Sequence, residues 1–254
     1  MCRQLAAGVP RGAGVMDVDV AHDSQRDAQK RAAAEAAAAL VEDGMVVGLG
    51  TGSTAYFAIE ALIRRVREGL RIVGIPTSER SAAQARAGGI PITSFAEHPR
   101  IDLTIDGADE IARGSLNLIK GLGGALLHEK IVAAASSRLV IVADARKLVD
   151  RLGTVAKLPV EVVAFGWETT AARLERLGAT PALRLGASGQ PFRTDSGNLI
   201  VDCAFGPIDD PTALDQAIGQ TIGVVETGLF IGMAWMALVA DGDGVHRLTR
   251  SGAG

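Results

Sequence analysis

The chain has 254 residues, 48% hydrophobic and 22% charged, with 31 glycines and a formal net charge of −3. This balance supports a folded α/β core and excludes an intrinsically disordered chain and an electrostatically driven nucleic-acid binder. Cys2 and Cys203 cannot form a disulfide framework or a zinc-ligand spacing, and the longest apolar run, 13 residues from Gly228 to Ala240, is too short to span a membrane. A cytoplasmic protein is expected, with no signal peptide, nucleic-acid partner or membrane partner.

Residues 1–24 mix Gly, Pro, Arg and Asp without periodicity and are expected to form a loose extension, with Met16 a candidate start. Helix-forming residues then predict a helix over Ser24–Glu42, followed by a strand at Met45–Leu49 and a glycine-rich turn. A helix with Phe57, Ala58, Leu62 and Val66 on one face comes next, then a strand (Arg71–Ile75) and a helix (Ser78–Ala87) stopped by Gly88-Gly89. Strands at Ile101–Ile105 and Leu116–Ile119, a helix from about Ala125 to Ser136 and a strand at Leu139–Ala143 complete an alternating pattern. That pattern predicts a Rossmann-like, doubly wound, mostly parallel sheet.

From about Leu158 the pattern becomes strand-helix-strand-strand-helix-strand, the order of a ferredoxin-like α+β module. Leu229–Val239 and Val245–Leu248 read as strands returning to the first sheet. The expected organisation is a catalytic domain at 25–155 plus 227–254, with a smaller α+β domain at 156–226.

Three clusters carry candidate chemistry, each at a strand end. Gly48–Thr54 places glycine amides and the hydroxyls of Thr51, Ser53 and Thr54 at a helix start, which suits a phosphate. An ordinary tight turn with a Ser/Thr cap fits the same residues. The glycine spacing matches neither a Walker loop nor a dinucleotide fingerprint. Asp106-Gly107-Ala108-Asp109-Glu110 suits sugar hydroxyls, a divalent metal or a capped turn. Lys120-Gly121-Leu122-Gly123-Gly124 offers an ammonium to a developing oxyanion. Glu129, on the following mostly apolar helix, is either a desolvated base or half of a surface pair with Lys130. Lys147 is a further cation at a strand end, and Lys30 lies on the first helix.

In order and spacing, Gly50-Thr51-Gly52-Ser53-Thr54, Asp106 to Glu110, Lys120 to Gly124 with Glu129-Lys130, Ala143 to Lys147 and Leu158-Pro159-Val160-Glu161-Val162 resemble ribose-5-phosphate isomerase, type A. The resemblance runs from about Lys30 to Val245. It implies interconversion of ribose 5-phosphate and ribulose 5-phosphate in the pentose phosphate pathway without metal or coenzyme, by a homodimer or homotetramer. Carried over by motif, Glu129 matches the proton-transferring base. Thr51–Thr54, Asp106–Asp109, Lys120–Gly123, Lys147 and Lys30 match substrate-binding segments. The chemistry of such a reaction adds Lys120 for the developing oxyanion and Asp106 for the ring or hydroxyl proton. Leu122 interrupts the family's run of glycines and must point away from the sugar or reshape the turn. Residues 1–24 have no counterpart, and Ile231–Leu238 with Trp235 departs from the family pattern. A non-catalytic sugar-phosphate sensor is the alternative.

Overall fold

A computed structural model describes residues 15–250. In chain order the elements are α1 (Val15–Ala38), β1 (Val46–Leu49), α2 (Ser53–Arg67), β2 (Val73–Pro76), α3 (Glu79–Gly88) and β3 (Leu103–Asp106). There follow β4 (Glu110–Ala112), β5 (Leu118–Ile119), α4 (Leu126–Ala134), β6 (Leu139–Asp144), a 3₁₀ turn (Ala145–Lys147) and β7 (Leu148–Val149). The remainder is β8 (Leu158–Val162), α5 (Trp167–Arg176), β9 (Thr180–Leu183), β10 (Leu199–Ala204), α6 (Pro211–Gly219), β11 (Val224–Thr227), β12 (Leu229–Phe230), β13 (Met236–Ala240) and β14 (Val245–Leu248).

The main sheet has the order β14-β13-β6-β3-β1-β2, parallel throughout except for β14 at one edge. Strands β1, β3, β6 and β13 are buried along their whole length, as expected for parallel strands covered on both faces. Val140, Ile141 and Val142 of β6 are fully buried, and each such side chain contributes roughly 1.5–3 kcal/mol. On one face α2 buries Ala58, Ile59, Leu62 and Ile63 at helical spacing, against a core shared with Ala33, Ala34 and Ala37 of α1. The connection reverses direction between β1 and β3, which opens a crevice at their carboxyl ends.

The small unit has the antiparallel order β11-β8-β10-β9 with α5 and α6, matching the ferredoxin-like expectation. A third, short sheet, β12-β5-β4-β7, lies outside both sequence expectations. It exists because the predicted Leu229–Val239 strand is broken. Gly232 adopts φ 65° and its N–H donates to Asn117 Oδ1 at 2.9 Å, so the chain leaves β5 before joining β6. The loose extension expected over 1–24 is corrected in part, because α1 already starts at Val15; residues 1–14 lie outside the described residues. Among the described residues no helix is long and apolar enough to cross a membrane.

Candidate active site

The carboxyl ends of β1, β3, β5 and β6 and the start of α4 surround one cavity of about 190 Å³. Its floor depends on Gly50. A Cβ at this position would lie 2.3 Å from Asp106 Oδ1, so only glycine lets β1 approach the Asp106 carboxylate. Asp106, 1% exposed, then accepts N–H bonds on Oδ1 from Thr51 (3.0 Å) and Gly107 (2.7 Å). Its Oδ2 lies 3.0 Å from Lys120 Nζ.

Lys120 is equally buried. Its ammonium also donates to the Gly107 carbonyl at 2.5 Å and lies 3.4 Å from Glu129 Oε1. Burial disfavours this charge, but Asp106, Glu129 and Asp109 outweigh it and hold the pKa above the ordinary lysine value. Glu129 is 4% exposed, and its Oε2 has no hydrogen-bond partner among the described residues. Burial pushes its carboxyl up to about 8; Lys120 opposes the rise, while Asp106 and Asp109 reinforce it. Burial also raises Asp106, although that group has three donors to hold its charge and Glu129 has one. The surface-pair alternative for Glu129 is therefore set aside: Lys130 turns to Glu226 at 2.7 Å and Asp215 at 3.9 Å in the small unit.

The phosphate-side rim is the start of α2. Gly52 occupies the N-cap position without a side-chain cap, and the first turn carries no acid. Such a terminus presents its N–H groups and its dipole to an anion. Ser53 and Thr54 line the cavity beside it. Thr51 also lines it, but its hydroxyl is turned inward, bonded to the hydroxyls of Thr77 (2.7 Å) and Ser78 (2.8 Å). The expectation that this hydroxyl serves a phosphate is corrected on that ground. Lys30, paired with Asp27 at 3.1 Å, and Lys147 also line the cavity.

Of the other expected residues, Gly107, Ala108, Asp109, Gly121 and Gly123 line the cavity. Two do not. Asp106 lies beneath Lys120, and Leu122 is 47% exposed, with its N–H donating to Asp109 Oδ2 at 2.9 Å. Glu110 leaves the acidic cluster altogether: its carboxylate accepts N–H bonds from Gly153, Val155 and Ala156. Among the described residues no group of three His, Cys, Asp or Glu side chains converges as a metal site. The cavity also includes Asp144 and Arg146, absent from the sequence assignments although they belong to the Ala143–Lys147 motif. Burial raises the Asp144 carboxyl, but hydrogen bonds and charge from Arg146 lower it further, with a net downward shift.

Buried ions under a cavity rimmed by cations suit a small anionic substrate whose reaction requires a proton acceptor. A model of the ribose 5-phosphate isomerase A (phosphoriboisomerase A) family matches residues 73–244. The chain belongs to this family. It is 62% identical over 227 residues to the ribose-5-phosphate isomerase A of Gloeobacter violaceus, covering 89% of this chain and 98% of the relative. The solved ribose 5-phosphate isomerase A of Methanocaldococcus jannaschii superposes with a TM-score of 0.85 at 39% identity, covering 88% of this chain and 99% of that one. A D-ribose-5-phosphate isomerase structure in complex with phospho-erythronic acid gives 0.85 at 38%, covering 89% and 99%. The family and these relatives establish the chain as a ribose-5-phosphate isomerase and set aside the sensor alternative.

Proposed function

We propose that this isomerase interconverts D-ribose 5-phosphate and D-ribulose 5-phosphate through a cis-enediolate, with Glu129 moving the proton between C2 and C1. The observation that carries the proposal is the Glu129 carboxylate, buried beside the cavity with Oε2 unpartnered and Oε1 near Lys120. A base without a competing donor keeps its proton affinity for carbon acids, and its raised pKa lies near the range where general bases work best. One carboxylate suffices, because C1 and C2 are adjacent and present their protons to the same face of a planar enediolate.

As the proton leaves C2, negative charge develops on the oxygens. Lys120 lines the cavity and supplies a fixed positive charge that needs no reorganisation. Asp106 does not line the cavity and acts on the substrate only through Lys120, 3.0 Å away, whose ammonium it holds charged and in place. Asp109, on the cavity wall, orients hydroxyls. Ser53, Thr54, the α2 N-terminus, Lys30 and Lys147 hold the phosphate, so that binding energy remote from the reacting carbons fixes their position. Phospho-erythronic acid, bound by a relative, has a planar carboxylate where an enediolate would be and is expected to compete for the same cavity. The resemblance extends the proposal to the non-oxidative pentose phosphate pathway, a cytoplasmic location and a homodimer or homotetramer.

The test is a coupled assay of the purified chain with ribose 5-phosphate in the presence of EDTA. Ribulose 5-phosphate should form at an undiminished rate, and solvent tritium should enter the sugar. Absence of ketose would end the proposal; wild-type turnover by Glu129→Gln would remove Glu129 from it.

A further inference from the structure

The glycine-rich lip of the cavity is gripped from behind by the small unit. Arg184 directly follows β9, and its side chain is 12% exposed. Its Nε donates to Asp202 Oδ2 at 2.9 Å, and Nη2 pairs with Asp202 Oδ1 on β10. The remaining arm, Nη1, donates to the carbonyls of Gly121 (2.8 Å) and Leu122 (3.1 Å). On the other side of the same turn, the Leu122 N–H holds Asp109 Oδ2. A second turn bond, from the Gly124 N–H to the Gly121 carbonyl at 3.0 Å, closes the loop between Lys120 and the helix that carries Glu129.

We propose that Arg184 is a positioning residue for the isomerisation, acting through the Gly121–Gly123 backbone on Asp109 and on the Gly123 N–H. It does not line the cavity, and the proposal rests on the active-site assignment above. One peptide unit joins the Gly121 carbonyl to the Leu122 N–H, and the next joins the Leu122 carbonyl to the Gly123 N–H. A guanidinium on both carbonyls draws density toward their oxygens, making each N–H a stronger donor. The first N–H fixes Asp109, and the second belongs to a residue of the cavity wall. An arginine suits this work because its fork satisfies Asp202 with one edge while keeping a donor for the turn; an ammonium has no such fixed geometry. A role limited to tying the two units together would instead appear only in stability.

The test uses the full chain and the variants Arg184→Met, Arg184→Lys, Asp109→Asn and Arg184→Met/Asp109→Asn. Arg184→Met should lower kcat by about 10- to 100-fold, the scale of a slight misplacement of reacting groups. Inhibition by inorganic phosphate should change by less than about twofold, because the phosphate rim lies on elements that Arg184 does not touch. Arg184→Lys should fall between the wild type and Arg184→Met. In the Asp109→Asn background the further loss from Arg184→Met should shrink to about threefold or less, the non-additivity of residues that act as a unit. Wild-type kcat in a folded Arg184→Met, or equal losses in both backgrounds, would overturn the proposal. Should Arg184→Met not fold, Arg184→Lys carries the same comparison with Asp109→Asn. Glu129→Gln in the same assay separates the two levels: if it is active, the site assignment fails; if it is inactive while Arg184→Met is normal, only the role of Arg184 fails.

Discussion

Glu129 Oε1 lies 3.4 Å from Lys120 Nζ, while Oε2 of the same carboxylate faces no donor among the described residues. One oxygen is anchored to a cation and the other is open, so the group is oriented without being neutralised. Its tendency to stay protonated is the expected cost of that arrangement.

That cost sets a pH dependence. The reaction needs Glu129 ionised, and burial pushes its carboxyl up to about 8. The logarithm of kcat/KM should therefore climb with pH at a slope near one and level off above about 8. A rate profile flat from pH 6 to pH 9 would contradict it.

Glu129→Gln should separate activity from stability. Turnover should fall by about 10²–10⁴-fold with little change in KM. The folded pKa of about 8 exceeds the ordinary 4.5, so the wild type incurs no ionisation penalty below 4.5 and an increasing one as pH rises toward 8. The variant lacks this loss and should be more stable at pH 8, by on the order of a few kcal/mol, but not at pH 4. Thermal melts at both pH values measure it.

Thr54→Ala should act on binding. The hydroxyl belongs to the phosphate-side rim, at the start of α2, and its loss removes a contact made equally in ground and transition states. KM should rise roughly tenfold with kcat little altered. Steady-state kinetics with ribose 5-phosphate decide it, and an unchanged KM would empty the phosphate rim of this contact.

Glu110→Ala should do the reverse. The side chain is 1% exposed and satisfies three backbone N–H groups at 2.5–2.7 Å. Truncation leaves those donors buried and unpaired, costing roughly 3 kcal/mol or more, while the kcat of the folded fraction stays near wild type. Urea denaturation alongside kinetics provides the check.

The sequence carried much of this because the chemistry sits at strand ends. There an apolar run stops abruptly at a polar motif, as at Ile105-Asp106 and Ile119-Lys120, and the motif order alone identified the family. Properties set by tertiary contact were not legible. Whether Glu129 faces solvent or the interior depends on which side of α4 meets the small unit, and Lys130 rather than Glu129 meets it. The inward turn of the Thr51 hydroxyl depends on Thr77 and Ser78, from the next strand-helix unit. Arg184, sixty residues beyond the turn it holds, bears no local signature. The break at Gly232 was hidden because both halves of the apolar segment are strands, merely in different sheets.

The two ends of the small unit come together at Gly228, whose N–H donates to the Pro159 carbonyl at 2.8 Å and whose carbonyl accepts the Lys120 N–H at 2.9 Å. A Cβ there would lie 2.4 Å from the Lys120 carbonyl. The seam where the insert leaves the sheet is thus also the backbone clamp on the cationic residue of the cavity. For protein engineers this makes the junction a poor place to cut, splice or permute the chain, whereas the exposed hairpin around Gly189 is free of that tie and is the natural port for a tag or a protease site.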